Sequence, residues 1–82
     1  MTVVRVRLFA ALRDAAGTTD LTVEAQRLSQ LLEMLSARFG EPFTSRLARA
    51  SIVVDGAPVR SGDDRDLRDA REVVLLPPFS GG

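Results

Sequence analysis

Along this chain hydrophobic and polar positions alternate, shift to a helical period and alternate again. Val4, Val6 and Leu8 are separated by Arg5 and Arg7, which predicts a strand with one buried and one wet face. Phe9 to Gly17 reads as a loop whose alanines favour a short helical turn, ended by Gly17. Leu21, Val23 and Ala25 then alternate with Thr22 and Glu24, predicting a second strand that pairs antiparallel with the first.

From Leu28 the period changes, and Leu28, Leu31, Leu32, Leu35 and Phe39 fall on one face of an α-helix. Gly40 and Pro42 stop it. Its start is unmarked: Gln26 and Arg27 are poor caps, and a cap at Ser29 would leave Leu28 outside the helix. A further short turn is expected over Phe43 to Arg49. Ser51 to Val54 reads as a strand, Asp55-Gly56 as a tight turn and Ala57 to Arg60 as the returning strand.

Ser61 to Arg71 is polar and contains Asp63, Asp64, Asp66 and Asp69. Such carboxylates suit magnesium binding or acid–base work, but an arginine stands close to each in sequence, which favours a solvated loop of mixed charge. Leu67 is expected to anchor this loop to the core. Glu72 to Leu76 is apolar at four consecutive positions, the pattern of an interior strand covered on both faces.

The element order implies an α+β fold with one sheet and one packed helix. If the first and last strands lie side by side in the centre, Pro77-Pro78-Phe79-Ser80-Gly81-Gly82 leaves the sheet at one end. The prolines remove ladder donors and hold φ near extended values. Six residues at about 3.3 Å each would reach roughly 20 Å.

Composition narrows the chemistry. With 82 residues this is a single domain of modest core. No apolar run approaches the roughly 20 residues of a membrane span, and the first residues lack the plan of a signal peptide, so a soluble, cytoplasmic protein with no membrane partner is expected. There is no histidine and no cysteine, hence no disulfide, no thiolate metal site and no ordinary general base. All 11 basic residues are arginine, so no side-chain amine can form a Schiff base or accept an isopeptide bond. Eleven acids balance them, and the arginines are dispersed, which argues against a nucleic-acid partner. Gly81-Gly82 has two readings: a tolerant chain end, or a slim strap that offers its carboxylate to chemistry in a channel too narrow for larger residues.

Three segments carry a resemblance. Leu8-Phe9-Ala10-Ala11-Leu12-Arg13, Val53-Val54-Asp55-Gly56 and the stretch from Glu72 to Gly82 resemble the MoaD/ThiS group of ubiquitin-like sulfur carriers, most of all the small subunits of molybdopterin synthase. The ending is the specific part: an acidic residue, an apolar strand, two prolines and Gly-Gly. One departure is Asp69-Ala70-Arg71-Glu72, where the group usually has glycine in place of Ala70. A left-handed Ala70 would cost roughly 1–2 kcal/mol, so a reshaped turn is expected.

The resemblance implies a ubiquitin-like β-grasp domain over residues 1–76, with a mixed sheet of about five strands and one main helix, and an extended tail over residues 77–82. It also implies a carrier cycle. An E1-like adenylating enzyme would use ATP to join Gly82 to AMP, a sulfur donor would convert it to a thiocarboxylate, and the large subunit of molybdopterin synthase would use that sulfur for the pterin dithiolene. The assembly would be a heterotetramer of two small and two large chains. This chain would be a non-catalytic sulfur donor binding no cofactor and no metal, with the catalytic residues on its partner. Gly82 would carry the reactive group, Gly81 pass a constriction, Ser80 hydrogen-bond, and Pro77 and Pro78 stiffen the strap. Phe79 would anchor it in an apolar cleft or fold back on its own domain, and Phe9 is a candidate exposed contact or a core residue. Alternatives are a carrier for thiazole/thiamine or cysteine biosynthesis, a ubiquitin-like protein modifier, and an inert β-grasp interaction module.

Overall fold

A computed structural model of the chain describes residues 2–60 and 62–78. Five strands, β1 (Val3–Leu8), β2 (Asp20–Glu24), β3 (Ser51–Val54), β4 (Ala57–Val59) and β5 (Glu72–Leu76), form one sheet in the order β2-β1-β5-β3-β4. β1 pairs antiparallel with β2 and parallel with β5, and β5 pairs antiparallel with β3. The last strand in sequence is thus the middle strand in space, with Val6 opposite Val73 and Leu8 opposite Leu75.

Three helices complete the fold: α1 (Ala10–Ala16), α2 (Leu28–Phe39) and α3 (Phe43–Leu47). Leu28, Leu31 and Leu35 of α2 join Val4, Val6, Leu8, Val73 and Leu75 in one buried cluster that also takes in Leu12 and Phe43. Each such side chain removed from water contributes roughly 1.5–3 kcal/mol, opposed by the entropy of ordering it. α1 ends at Gly17, whose φ of 76° is left-handed and whose N–H donates to the Arg13 carbonyl at 2.9 Å. At the β3–β4 turn, Asp55 and Gly56 both take positive φ (48° and 83°), as the Asp-Gly signal predicts.

The expected two-sided burial of β5 needs correction. Val73 and Leu75 are fully buried, but Val74 and Leu76 are only half-buried, because the helices cover a single face of the sheet. From Val73 to Leu76 β5 is apolar, and with β1 and β3 flanking it on either side even its outward side chains are partly shielded from water. The expected pairing of loop acids with nearby arginines holds for Asp66 and Arg68 (2.7 Å) but not for Asp64, whose partner is Arg27 (2.9 Å). Leu67 does anchor the loop, being fully buried, and its N–H donates to the Gln26 carbonyl at 2.8 Å. Ala70 stays out of the left-handed region; among the described non-glycine residues only Ala10 and Asp55 have positive φ.

Candidate functional site

The middle strand delivers the chain to one end of the sheet. At Leu76 the ladder stops, because Pro77 and Pro78 have no N–H to donate, and both prolines are exposed. Beside them Phe9 joins β1 to α1. Its N–H reaches the Leu75 carbonyl at 3.3 Å, and its own carbonyl accepts from Leu12 at 3.2 Å and Arg13 at 3.4 Å. The backbone of Phe9 is therefore fixed to β5 just before the prolines, while the residue as a whole is 36% exposed, with the Arg7 guanidinium 5.6 Å from its ring centroid. Of the two readings of Phe9, the structure gives the exposed one.

Phe9 to Leu12, Ala50 and Leu76 to Pro78 line an apolar recess of about 140 Å³ at this end of the sheet, and Arg46 and Arg49 stand at it. Arg46 Nη1 donates to the Ala11 carbonyl at 3.4 Å, which links the guanidinium to the start of α1. Neither arginine was singled out by sequence patterning. The signal available was charge: from Pro42 to Val54 the chain holds two arginines and no acid. Of the residues expected to form the tail, Pro77 and Pro78 border this recess, while Phe79, Ser80, Gly81 and Gly82 lie outside the described residues.

Apart from Glu41, whose carboxyl is held below its usual range by hydrogen bonds from the Ser45 hydroxyl and backbone N–H, the groups whose acidity departs from ordinary values sit at the start of α2. Arg27 donates a hydrogen bond to Asp64, and this, with the Ser29 backbone N–H, holds the Asp64 carboxyl below its usual range. The Arg68 guanidinium and backbone hold Asp66 down to about 2. The Asp64 carboxylate thus ties the loop to the start of α2, while that of Asp66 pairs within the loop. A larger hollow of about 480 Å³ opens between α2 and the β3–β4 hairpin, lined by Leu32, Ile52, Val59 and Asp63 among others. Among the described residues, no group of three or more potential metal ligands is brought together, and no helix is long and apolar enough to cross a membrane.

Residues 6–82 match the sequence model of the ThiS family. No curated protein matches the chain. Among solved structures, the small archaeal modifier protein 1 from Methanosarcina acetivorans is 29% identical, with a TM-score of 0.76 over 100% of this chain and 98% of that one. Subunit 1 and 2 of the molybdopterin-converting factor from Helicobacter pylori, solved as a protein–protein complex, give 24% identity and a TM-score of 0.71 over 98% of this chain and 99% of the matched one. The small archaeal modifier protein 1 from Haloferax volcanii gives 19% identity and 0.68 over 98% and 99%. The fold they share with this chain is the ubiquitin-like β-grasp.

Proposed function

The chain belongs to the ThiS family, and on that footing we propose that it is a sulfur carrier whose reactive group is the Gly82 carboxylate, acting as the small subunit of a molybdopterin synthase. The observation that carries this reading is the match itself, which runs from within β1 to Gly82 and so includes the tail together with the domain that holds it. Residues 77–82 form the delivery arm in this proposal, and residues 1–76 its base.

A carboxylate resists nucleophiles because its charge is delocalised, so it must first be activated. In the proposed cycle an E1-like enzyme directs the Gly82 carboxylate onto the α-phosphate of ATP, releasing pyrophosphate and leaving an acyl-adenylate. A sulfur nucleophile then displaces AMP to give the thiocarboxylate. Its sulfur attacks a carbon of the pterin precursor held by a large subunit and displaces an oxygen leaving group from it, and water then hydrolyses the resulting acyl–sulfur bond, returning the carboxylate and leaving the sulfur on the pterin. Pro77 and Pro78 limit the freedom lost when the tail threads its partner. Gly81 and Gly82 lack a Cβ, so the backbone can pass a narrow channel. Ser80 hydrogen-bonds within that channel, Phe79 anchors the strap in an apolar cleft, and exposed Phe9 meets the partner at the channel mouth. The complex of subunits 1 and 2 from Helicobacter pylori supports a large-subunit partner, and a heterotetramer is the proposed assembly.

A second reading, protein modification through Gly82, is favoured by the likeness to the modifier from Methanosarcina acetivorans. Intact-mass measurement of the chain co-expressed with its native activating enzyme separates the two. One oxygen replaced by sulfur supports the carrier, and a ladder of conjugates supports the modifier. An unchanged mass under competent conditions counts against both.

A further inference from the structure

If Gly82 is the reactive end, any protein acting on it must reach an atom only four residues beyond Pro78, at most about 14 Å away along an extended chain. A protein that encloses that atom must therefore lie against the surface from which Pro78 emerges. That surface is the recess beside Phe9. Its floor is carbon, from Phe9, Leu12, Ala50 and Leu76, and Arg46 and Arg49 stand at its rim.

The two arginines differ from most others in this chain. Arg5, Arg7, Arg13, Arg27 and Arg68 each have a carboxylate within 4.0 Å. The Arg46 guanidinium has only the Ala11 carbonyl, and among the described residues no hydrogen bond or ion pair is made by the side chain of Arg49, whose backbone N–H donates to the Arg46 carbonyl at 3.1 Å. In a chain of zero net charge, the exit of the tail is thus locally cationic. A partner that covered this rim with apolar or basic surface would strand two guanidinium groups away from water, at a cost exceeding what the small recess returns. Two-fold pairing with a second copy through this surface is opposed on the same ground, since it sets guanidinium against guanidinium.

We infer that this recess is the docking surface for the activating enzyme, which seats an apolar side chain in it and flanks that side chain with carboxylates paired to Arg46 and Arg49. The inference rests on the carrier reading and adds the chemistry of the partner's surface. Planar guanidinium groups suit such pairing because each can hold a carboxylate through two parallel hydrogen bonds. Both arginines are exposed in the free chain, so charge reversal leaves the core untouched.

The probe is the source organism's adenylating enzyme, purified as the activity that exchanges ATP with pyrophosphate only when the chain is added. Arg46→Glu/Arg49→Glu raises the KM for the chain about tenfold or more at about 20 mM salt, with kcat unchanged, and the difference shrinks several-fold at about 300 mM salt as charges are screened. Arg46→Gln/Arg49→Gln gives a smaller rise with the same salt trend, and circular dichroism reports whether each variant is folded. A KM within about twofold of wild type for a folded charge-reversed chain overturns the proposal, as does a rise that salt leaves unchanged. Wild-type exchange with unaffected variants removes only the recess proposal. If the source cells hold no such chain-dependent activity, the carrier reading falls and this proposal falls with it.

Discussion

The Asp64 carboxylate accepts a hydrogen bond from the Ser29 backbone N–H at 2.9 Å, across a separation of 35 residues. The first N–H groups of a helix have no partner within it, and Arg27, just before α2, supplies no side-chain cap. Asp64 does so from a distance, and also accepts from Ser29 Oγ at 3.0 Å and Arg27 Nε at 2.9 Å. The Arg65 carbonyl accepts from the Leu28 N–H at 2.9 Å. Negative charge here also opposes the positive end of the helix dipole.

Replacing Asp64 with Ala should lower Tm by several degrees, and with Asn by less, because the amide keeps one acceptor oxygen. The effect depends on pH. Arg27 and then the Ser29 N–H depress the Asp64 carboxyl from 3.8, and Arg68 depresses that of Asp66 to about 2. A depressed folded value gives stabilisation that is complete above the unfolded value and lost as pH falls through the folded one. The Tm gap between wild type and the Asp64→Asn/Asp66→Asn variant is therefore widest above about pH 4 and closes towards about pH 2. A gap unchanged down to the lower pH would show that these carboxylates are not the acid-sensitive ties.

Ala10 opens α1 at a φ of 52°, in the left-handed region where a Cβ crowds the backbone at a cost of about 1–2 kcal/mol. Ala10→Gly should relieve this and raise stability to urea by up to about 1 kcal/mol, after the greater unfolded-chain entropy of glycine is offset. A midpoint lower than wild type would contradict the strained conformation.

Leu67 is fully buried although it lies in a polar loop. Leu67→Ala should destabilise the domain by about 3 kcal/mol, a large part of the stability of so small a fold. Its exposed neighbour Asp69, changed to Ala, should cost under about 0.5 kcal/mol. Similar urea midpoints for the two variants would refute the anchoring role.

One residue added after Gly82 should abolish sulfur transfer, whereas a tag before Met1 should leave it intact, because only the first blocks the carboxylate. Reconstitution with the native activating enzyme and sulfur donor, read by intact mass, checks both. Full conversion of an uncleaved C-terminal fusion would rule out the carrier mechanism.

Much of the fold is legible in the residues. The alternation at Val4, Val6 and Leu8, the helical face of Leu28, Leu31 and Leu35, and the Asp55-Gly56 turn all appear where patterning places them. The candidate site was partly legible: Pro77, Pro78 and Phe9 stood out, while Arg46 and Arg49 did not. A surface arginine carries no periodic signal, and its importance here comes from the strand order that brings α3 beside the end of β5.

Asp55 shows the division between the two kinds of information. Its place in a tight turn follows from the dipeptide Asp-Gly, because backbone sterics act between neighbouring residues. That its carboxylate also accepts from the N–H groups of Arg71 at 3.0 Å and Glu72 at 2.9 Å, fixing the start of β5, does not follow from any local pattern. The sequence alone determined the periods, the turn, the absence of histidine, cysteine and lysine chemistry, and the Gly-Gly ending. Tertiary structure decided that β5 lies between β1 and β3, that a distant aspartate starts α2, and which side chains line the recess beside Pro77 and Pro78. Local preferences act through a few adjacent torsion angles, whereas these relationships exist only once long-range strand pairing and burial bring distant segments together.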